Sequence, residues 1–171
     1  MKFRLLLIIA FSGAFALCQG QGQENSKWDK WSWLMGAWKG EGSGKPGQGE
    51  GTFAFSFDLN SEVIMRRSHS EYPALQDKPA IVHDDLMIIY HDQSGSQDKA
   101  IYFDNEGHTI NYTVSFGEKS IILKSERSGK SPVFRLVYTL LDNDRVNTSF
   151  DMSQDGENFS TYIQGISKRI K

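Results

Sequence analysis

The residue types most able to bind or transform a ligand are concentrated in the middle of the chain. They fall in three short segments, residues 66–72, 83–86 and 102–108. On a strand through the first segment, Arg67, His69 and Glu71 share one face because successive strand residues alternate sides. Facing inward, Arg67 would pair with a carboxylate of the protein or hold the carboxylate of a bound ligand. The poor alternation in this segment equally allows the reverse placement, with Arg66 inward and the Arg67 face in solvent.

A ligand-binding set follows from the inward alternative. An internal Arg67 would need a partner such as Asp85 or Asp104. We expect the polar anchors among these charged and aromatic side chains: Arg67, His69, Glu71, Asp85, Tyr102, Tyr112 and Arg135. The predicted cavity lining is Phe55, Met65, Ile88, Tyr112, Phe134 and Tyr138. Together these residues would hold a small hydrophobic or amphipathic ligand.

Catalysis is a second hypothesis, and it concerns the segment around residue 104. Asp104 and His108 flank a turn-like Asn-Glu-Gly sequence, and an Asp–His pair there could act as a general base. Tyr102 lies on the Asp104 face of the predicted strand, where it could orient a substrate. The same residues are typical of a tight hairpin, which explains them without catalysis. No nucleophile elbow, phosphate-binding loop or paired-carboxylate signature is present. The alternative function that these Asp, His and Tyr residues leave open is an isomerase or hydrolase.

Metal ligation is a third hypothesis, although the sequence predicts no metal site. The histidine candidates are His69, His83 and His108. Zinc or iron would need about three ligands converging on one point, and these histidines show no recognisable motif spacing.

The elements that must position these residues are strands from residue 37 onward. Turn residues divide the chain into about ten segments. These are 37–42, 49–58, 61–71, 84–91, 98–104, 107–115, 119–126, 132–141, 144–152 and 158–169. No amphipathic helix of about 10–15 residues separates them, which excludes a parallel βαβ arrangement. We therefore predict an all-β protein: a single up-and-down antiparallel barrel of about ten strands, with a two-sheet sandwich as the alternative, because closure removes exposed edges.

The barrel domain is predicted to span residues 28–171 and to begin with a short N-terminal helix. Trp28, Trp31 and Leu34 recur at helical spacing, and the helix is expected to end at Gly36. Such a short aromatic helix would plug one mouth of the barrel. The longest connection, residues 72–83, is expected to form a lid or rim loop.

Residues 1–18 are predicted to be a signal peptide. Lys2 and Arg4 precede an apolar run that is too short to span a bilayer, and small residues follow it. Residues 19–27 are polar and predict a flexible tether. The protein is therefore expected to be exported, either to a periplasm or out of the cell, and no transmembrane segment is predicted.

The single cysteine, Cys18, lies at the end of the predicted signal peptide. Lipidation at Cys18 would tether the protein to a membrane, but Leu17 occupies a position where a small residue is preferred. Beyond Cys18 the chain has no cysteine, so the domain is expected to contain no disulfide.

Charge excludes one class of partner. The chain carries a net charge of −2, and removing Lys2 and Arg4 with the signal peptide brings it to −4 (−2 minus 2). A domain this acidic lacks the basic surface that nucleic-acid binding needs, so no nucleic-acid partner is predicted.

A family resemblance rests on the stretch Trp33-Leu-Met-Gly-Ala-Trp-Lys-Gly-Glu-Gly42. It resembles the opening of the nitrobindin-like and lipocalin-like (calycin-type) barrels, in which a leucine-containing turn leads into a Gly-x-Trp-x-Gly strand. The basic last strand, Tyr162-Ile-Gln-Gly-Ile-Ser-Lys-Arg169, is also similar. The resemblance implies a barrel that encloses a small ligand, and it supports fold more than function.

One departure from that family concerns haem. Nitrobindins bind haem through a histidine of the last strand, whereas this chain has no histidine after His108. No cofactor is therefore predicted, and haem or metal binding stays a second alternative. The leading hypothesis is an exported, non-enzymatic barrel that binds a small ligand; a barrel with a filled interior would instead be an interaction or envelope protein.

Overall fold

The computed structural model describes residues 27–42, 49–75, 78–127, 129 and 131–171. The predicted signal peptide, most of the predicted tether and Cys18 lie outside the described residues. None of the described residues belongs to a helix long and apolar enough to cross a membrane.

Ten antiparallel strands close into one barrel. They are β1 (Gly36–Gly40), β2 (Glu50–Asp58), β3 (Val63–Tyr72), β4 (Ile81–His91), β5 (Asp98–Asp104), β6 (Thr109–Phe116), β7 (Ser120–Ser125), β8 (Val133–Asp142), β9 (Arg145–Ser153) and β10 (Ser160–Arg169). Each strand pairs with its neighbours in sequence, and β1 pairs with β10 to complete the circle. The predicted up-and-down barrel is confirmed, and the two-sheet alternative is wrong.

Alternation of apolar and polar residues explains why these segments are strands. In β7, Ile121 and Leu123 are fully buried while the intervening Ile122 is half-buried and Lys124 is exposed. In β6, Tyr112 and Val114 are buried and face the barrel interior, whereas Asn111 is exposed. The side-chain period of two thus gives each strand one inner and one outer face.

The barrel has two unlike ends. The plug end carries the short turns at residues 59–62, 92–97, 117–119 and 143–144. The open end carries the connections at residues 41–49, 73–80, 105–108, 126–132 and 154–159.

A 3₁₀ helix (Asp29–Leu34) closes the plug end. Trp28, Trp31 and Leu34 are almost completely buried there. The Trp31 ring lies 6.2 Å from the ring of Phe55 and 5.9 Å from that of Phe116, so the helix packs directly on inward side chains of β2 and β6. The hydrophobic core therefore fills this half of the barrel.

Gly36 has a structural reason to be glycine in the Gly-x-Trp-x-Gly segment. Its backbone φ is +103°, a conformation that residues with a Cβ rarely adopt. A Cβ at this position would also lie 3.2 Å from the Arg169 guanidinium. The turn from the helix into β1 consequently allows Arg169 to approach the chain closely.

Predicted strand boundaries agree with the observed ones to within three residues, and the largest difference lies at β4. This strand starts at Ile81 rather than at residue 84, because its pairing with β3 continues as far as Tyr72 opposite Ile81. The connection predicted over residues 72–83 is thus confined to residues 73–80, and His83 lies within a strand.

Candidate functional site

The inner face of β3 carries Ile64, Arg66 and Ser68. The row formed by Arg67, His69 and Glu71 lies on the outer face. Strand pairing places Arg66 opposite Met87 of β4, and Met87 opposite Tyr102 of β5. Met87 is completely buried, which identifies this row as the interior side of the wall. Arg66 therefore projects into the barrel, between the apolar plug end and the open end.

Arg66 forms a buried ion pair with Asp85. Its Nη1 donates to Asp85 Oδ1, and the side chains are only 9% and 5% exposed, respectively. The guanidinium carbon also lies 5.6 Å from the centre of the Phe53 ring. A charge pair this far from water is costly unless its hydrogen bonds are satisfied, so its presence in a barrel interior requires an explanation.

Three tyrosines surround this pair. Burial raises the pKa of Tyr138 to about 12, an effect that the nearby Arg66 charge partly offsets. Burial likewise raises the pKa of Tyr112 and that of Tyr102 well above the ordinary tyrosine value. All three phenols are consequently neutral at physiological pH and can each donate one hydrogen bond.

Several buried polar atoms near the pair have no hydrogen-bond partner among the described residues. They are Arg66 Nε, the Tyr138 hydroxyl and Thr148 Oγ1. Tyr138 and Thr148 lie directly opposite each other on β8 and β9. An unpaired buried polar group costs about 1–3 kcal/mol, so three of them on one interior surface point to a polar partner supplied from outside the chain.

The open half of the barrel is not filled by its own side chains. Ile110, Phe134, Phe150 and Met152 occupy inward positions by strand register, yet each is only partly buried. Phe134 and Phe150 stack with ring centres 5.5 Å apart and form an apolar wall. Solvent therefore reaches inward side chains in this half of the barrel.

A second polar cluster lies at the rim of the open end. The His108 Nδ1 atom lies 2.9 Å from Asp104 Oδ2, to which the Tyr102 hydroxyl also donates at 3.2 Å. His83 contacts Tyr102 through Nε2 at 3.0 Å and Glu106 through Nδ1 at 3.1 Å. Burial would raise the pKa of Asp104, but hydrogen bonds from His108 and Tyr102 outweigh it and hold that pKa below its ordinary value. The structure thus brings the three candidate catalytic residues together and adds two others.

The predicted anchors Arg67, His69 and Glu71 lie on the outside of the barrel. All three are exposed, and His69 is held between Asp84 (2.6 Å) and Glu71 (3.0 Å). Hydrogen bonds to Asp84 and then to Glu71 raise the pKa of His69. The inward placement of this row is wrong because the register with β2 and β4 turns Arg66 inward instead.

Other predicted residues divide between the two faces. Asp85, Tyr102, Tyr112, Phe55, Phe134 and Tyr138 face inward. Met65 and Ile88 pair with each other on the outer face, so their predicted place in the cavity lining is wrong. Arg135 is also on the outer face, where it binds Asp151 at 2.9 Å beneath the Phe159 ring.

A groove of about 680 Å³ crosses the outer surface of β1–β5 and includes Arg67 and His69. We place the candidate site elsewhere, because His69 already has a partner for each ring nitrogen. The interior, in contrast, holds buried polar atoms that lack partners.

Sequence reasoning missed the importance of Arg66 and Thr148. The sequence left open whether Arg66 or Arg67 faces the barrel interior. Ser68 and Ser70 lie on the same face as Arg66, and such small side chains leave room inside a barrel, which was the available signal. Nothing local distinguishes Thr148 from any other strand threonine.

The last strand does not offer the donor that a histidine-ligated haem requires. By its register with β9, β10 turns Ser160, Ile163, Gly165 and Ser167 inward. None has a side chain that ligates haem iron as imidazole does.

Comparison with known proteins identifies the fold alone. No family model matches the chain, and no curated protein matches it. Among solved structures, Rv2717c from M. tuberculosis is similar, with a TM-score of 0.58 and 15% sequence identity; the match covers 85% of this chain and 98% of that one. The chain therefore shares its overall fold with that protein.

Proposed function

We propose that this protein is an exported barrel that holds a small amphipathic ligand in its interior. The observation that carries the proposal is the buried Arg66, whose Nε is unpaired, together with the unpaired hydroxyls of Tyr138 and Thr148 on the inner face of β8 and β9. Buried donors are almost always satisfied in folded proteins, and a ligand oxygen would satisfy these. Ligand sites commonly combine an apolar wall with a few convergent polar groups of this kind.

The arrangement of polar and apolar residues defines the orientation of the ligand. Its polar end would accept hydrogen bonds from Arg66 Nε and the Tyr138 hydroxyl. Its apolar part would extend along Phe134 and Phe150 towards the open end. The plug end cannot take the ligand because Trp31 and its neighbours fill it.

The unpaired donors favour a ligand whose polar end bears oxygen acceptors, such as a carboxylate. Asp85 neutralises Arg66 and engages Nη1, which leaves Nε–H as a donor. Neutral Tyr112 and Tyr138 add donors without adding negative charge.

A fluorescent fatty acid tests this proposal. We would titrate 11-(dansylamino)undecanoic acid into the protein and follow the rise in dansyl emission. The test variant is Arg66→Met combined with Asp85→Leu, which removes both buried charges together and so avoids leaving one unpaired. Arg67→Met is the matched control, because Arg67 is the adjacent arginine and lies on the outer face.

We expect the wild type and Arg67→Met to bind equally and the double variant to bind at least about tenfold more weakly, the effect of losing one or two hydrogen bonds in a buried site. Equal binding by all three proteins would overturn the interior site. Native mass spectrometry of the protein from its source would then identify the natural ligand.

Export is a separate part of the proposal. Support comes from the basic start and apolar run of residues 1–18. The test is the mass of the protein recovered from the medium or periplasm of a host that expresses the full chain. A protein that retains residues 1–18 and stays in the cytoplasm would contradict export.

The catalytic alternative is less well supported. Asp104 and His108 are within hydrogen-bonding distance, as a general-base pair requires. His108 is 62% exposed at the rim, however, and no described wall encloses a substrate around it. The carrier hypothesis therefore accounts for more of the interior chemistry.

A further inference from the structure

The cluster at the rim of the open end combines two imidazoles with two carboxylates. Side-chain ligand atoms of His83, Asp104 and Glu106 all lie within 4.8 Å of one another. His108 joins them, with Nδ1 at 2.9 Å from Asp104 and 3.9 Å from Glu106. Two nitrogen and two oxygen donors are a set that Zn²⁺ binds in a tetrahedral arrangement.

Tyr102 and Glu106 contact the two ring nitrogens of His83. The Tyr102 hydroxyl lies 3.2 Å from Asp104 Oδ2 and 3.0 Å from His83 Nε2. In the tautomer in which Nε2 donates to the Tyr102 oxygen, His83 Nδ1 presents a lone pair towards a Glu106 oxygen at 3.1 Å.

In that tautomer a metal ion bound to His83 Nδ1 and Glu106 would form two coordinate bonds where two acceptors otherwise face each other. The contact of His83 Nε2 with Tyr102 would orient the ligand imidazole, as outer hydrogen bonds do in known metal sites. The opposite tautomer, in which Nδ1–H donates to Glu106, is the rival explanation, and metal titration separates the two.

The turn that carries three of the four ligands is held in place before any ion binds. Asn105 donates to the Val82 carbonyl at 3.1 Å and accepts from the Asp84 backbone N–H at 3.2 Å, on either side of His83. Asp104 Oδ1 accepts the backbone N–H of Glu106 at 3.0 Å and that of His108 at 2.9 Å. The hairpin and β4 therefore present their side chains to one point without a large rearrangement.

We propose that His83 Nδ1, Asp104, Glu106 and His108 Nδ1 form a zinc site at the rim of the barrel. Tetrahedral zinc with bonds of about 2.0–2.1 Å places its ligand atoms roughly 3.3 Å apart. Neighbouring donors lie 2.9 Å (His108 Nδ1–Asp104 Oδ2), 3.1 Å (His83 Nδ1–Glu106 Oε1) and 3.9 Å (His108 Nδ1–Glu106 Oε2) apart, so side-chain shifts of about half an ångström would bring these three separations to that value. The site borders the Arg66 pocket, since His83 Nε2 lies 3.7 Å from Asp85 Oδ2, but its ligand set includes neither Arg66 nor Asp85 and does not depend on the proposed carrier function.

Metal titration of the untagged protein tests the site. Co²⁺ is added first, because a tetrahedral site with nitrogen and oxygen ligands produces visible absorption bands that Zn²⁺ then removes. Competition with a chromophoric chelator measures the zinc affinity, and thermal unfolding with and without Zn²⁺ measures the stabilisation that binding must produce. We expect one equivalent of metal per chain.

Three variants and one control locate the binding. His83→Ala and His108→Ala should each weaken zinc binding at least about tenfold and reduce the zinc-induced rise in unfolding temperature. Glu106→Gln should also weaken it, and its exposed side chain makes loss of the fold an implausible cause. His69→Ala is the matched control, since His69 also contacts two carboxylates but lies on the outer face.

Zinc binding by the His69→Ala control distinguishes the possible outcomes. Tight binding by the wild type and by His69→Ala, but not by the other variants, supports the site. No stoichiometric binding, or binding that His69→Ala weakens as much as His83→Ala does, overturns it and leaves a hydrogen bond between His83 Nδ1 and Glu106 as the explanation of the contact. Fatty-acid binding by Arg66 variants is unaffected by either result.

Discussion

The indole N–H of Trp31 donates to Oδ2 of Asp98 at 2.7 Å. The other oxygen of Asp98 lies 2.6 Å from His91 Nδ1, and the His91 ring stacks on Trp28 at 4.2 Å. One buried carboxylate therefore joins the 3₁₀ helix to β4 and β5. The helix is held in the barrel by this polar link as well as by its apolar side chains.

Replacing Asp98 should loosen the plug. Asp98→Ala leaves the Trp31 and His91 donors without an acceptor in a buried place, which should lower the free energy of unfolding by roughly 2–4 kcal/mol. Urea denaturation followed by tryptophan fluorescence measures this loss. Glu118→Ala, in an exposed turn, is the control and should change stability by no more than about 0.5 kcal/mol. Equal stability of the two variants would contradict the link.

The Arg66–Asp85 pair should show strongly non-additive mutations. Arg66→Met alone leaves Asp85 buried and unpaired, and we expect a loss of about 3–5 kcal/mol in the free energy of unfolding. Adding Asp85→Leu should recover most of that loss, since two apolar side chains replace two charges. Chemical denaturation of both single variants and the double variant measures the coupling. Additive losses would show that the two side chains do not depend on each other.

Arg169 should stabilise the junction between the last strand and the helix. Its guanidinium donates to the Met35 carbonyl at 2.6 Å and to the Trp33 carbonyl at 2.7 Å, and it lies 4.1 Å from the Trp38 ring centre. Arg169→Ala should cost roughly 2–4 kcal/mol, and Arg169→Lys should recover only part of it because an ammonium group cannot reproduce the planar fork.

The neighbouring Lys168→Ala is the control for that experiment. Lys168 is exposed and faces the opposite side of β10, so its removal should leave the thermal midpoint nearly unchanged. A similar drop in both variants would mean that net charge, and not the contacts of Arg169, decides stability.

The buried tyrosines should make the fold sensitive to alkali. Burial raises the pKa of Tyr138 from 10.0 to about 12, so the folded protein keeps this proton where the unfolded chain loses it. The stabilisation is therefore complete below pH 10 and is lost as the pH rises through about 12. Absorbance of tyrosinate should show that Tyr138 titrates late and together with unfolding. A Tyr138→Phe variant should show a smaller late step, because buried Tyr102 and Tyr112 still titrate late. Titration of every tyrosine near pH 10 would refute the burial argument.

Most of the fold was predictable because its signals are local. Ile121 and Leu123 alternate with polar or less buried residues, and turn residues separate each strand from the next, so strand number and order follow from short stretches of sequence. The helix position was also predictable, since Trp28, Trp31 and Leu34 share one side of a helix. β4 was predicted three residues short because its first residues are strand only through pairing with β3.

The sequence predicted several residues of the candidate site but not which of them lie together. Asp85, Tyr102, Asp104, His83 and His108 were all named from the sequence. Their grouping was not, because His83 meets Glu106 only when β4 and the turn after β5 lie side by side. The Arg67 row was assigned inward as one alternative, and Arg66 proved to be the internal arginine.

The amino-acid sequence by itself determined a single all-β domain of about ten consecutive antiparallel strands, since alternation and turn chemistry act over a few residues. The tertiary structure alone decided which face of β3 points inward. Ile64 and Met65 are both apolar and both faces carry an arginine, so the local pattern is almost symmetric. Pairing with β2 and β4 breaks that symmetry, because a shift of one residue exchanges the two faces of the whole strand.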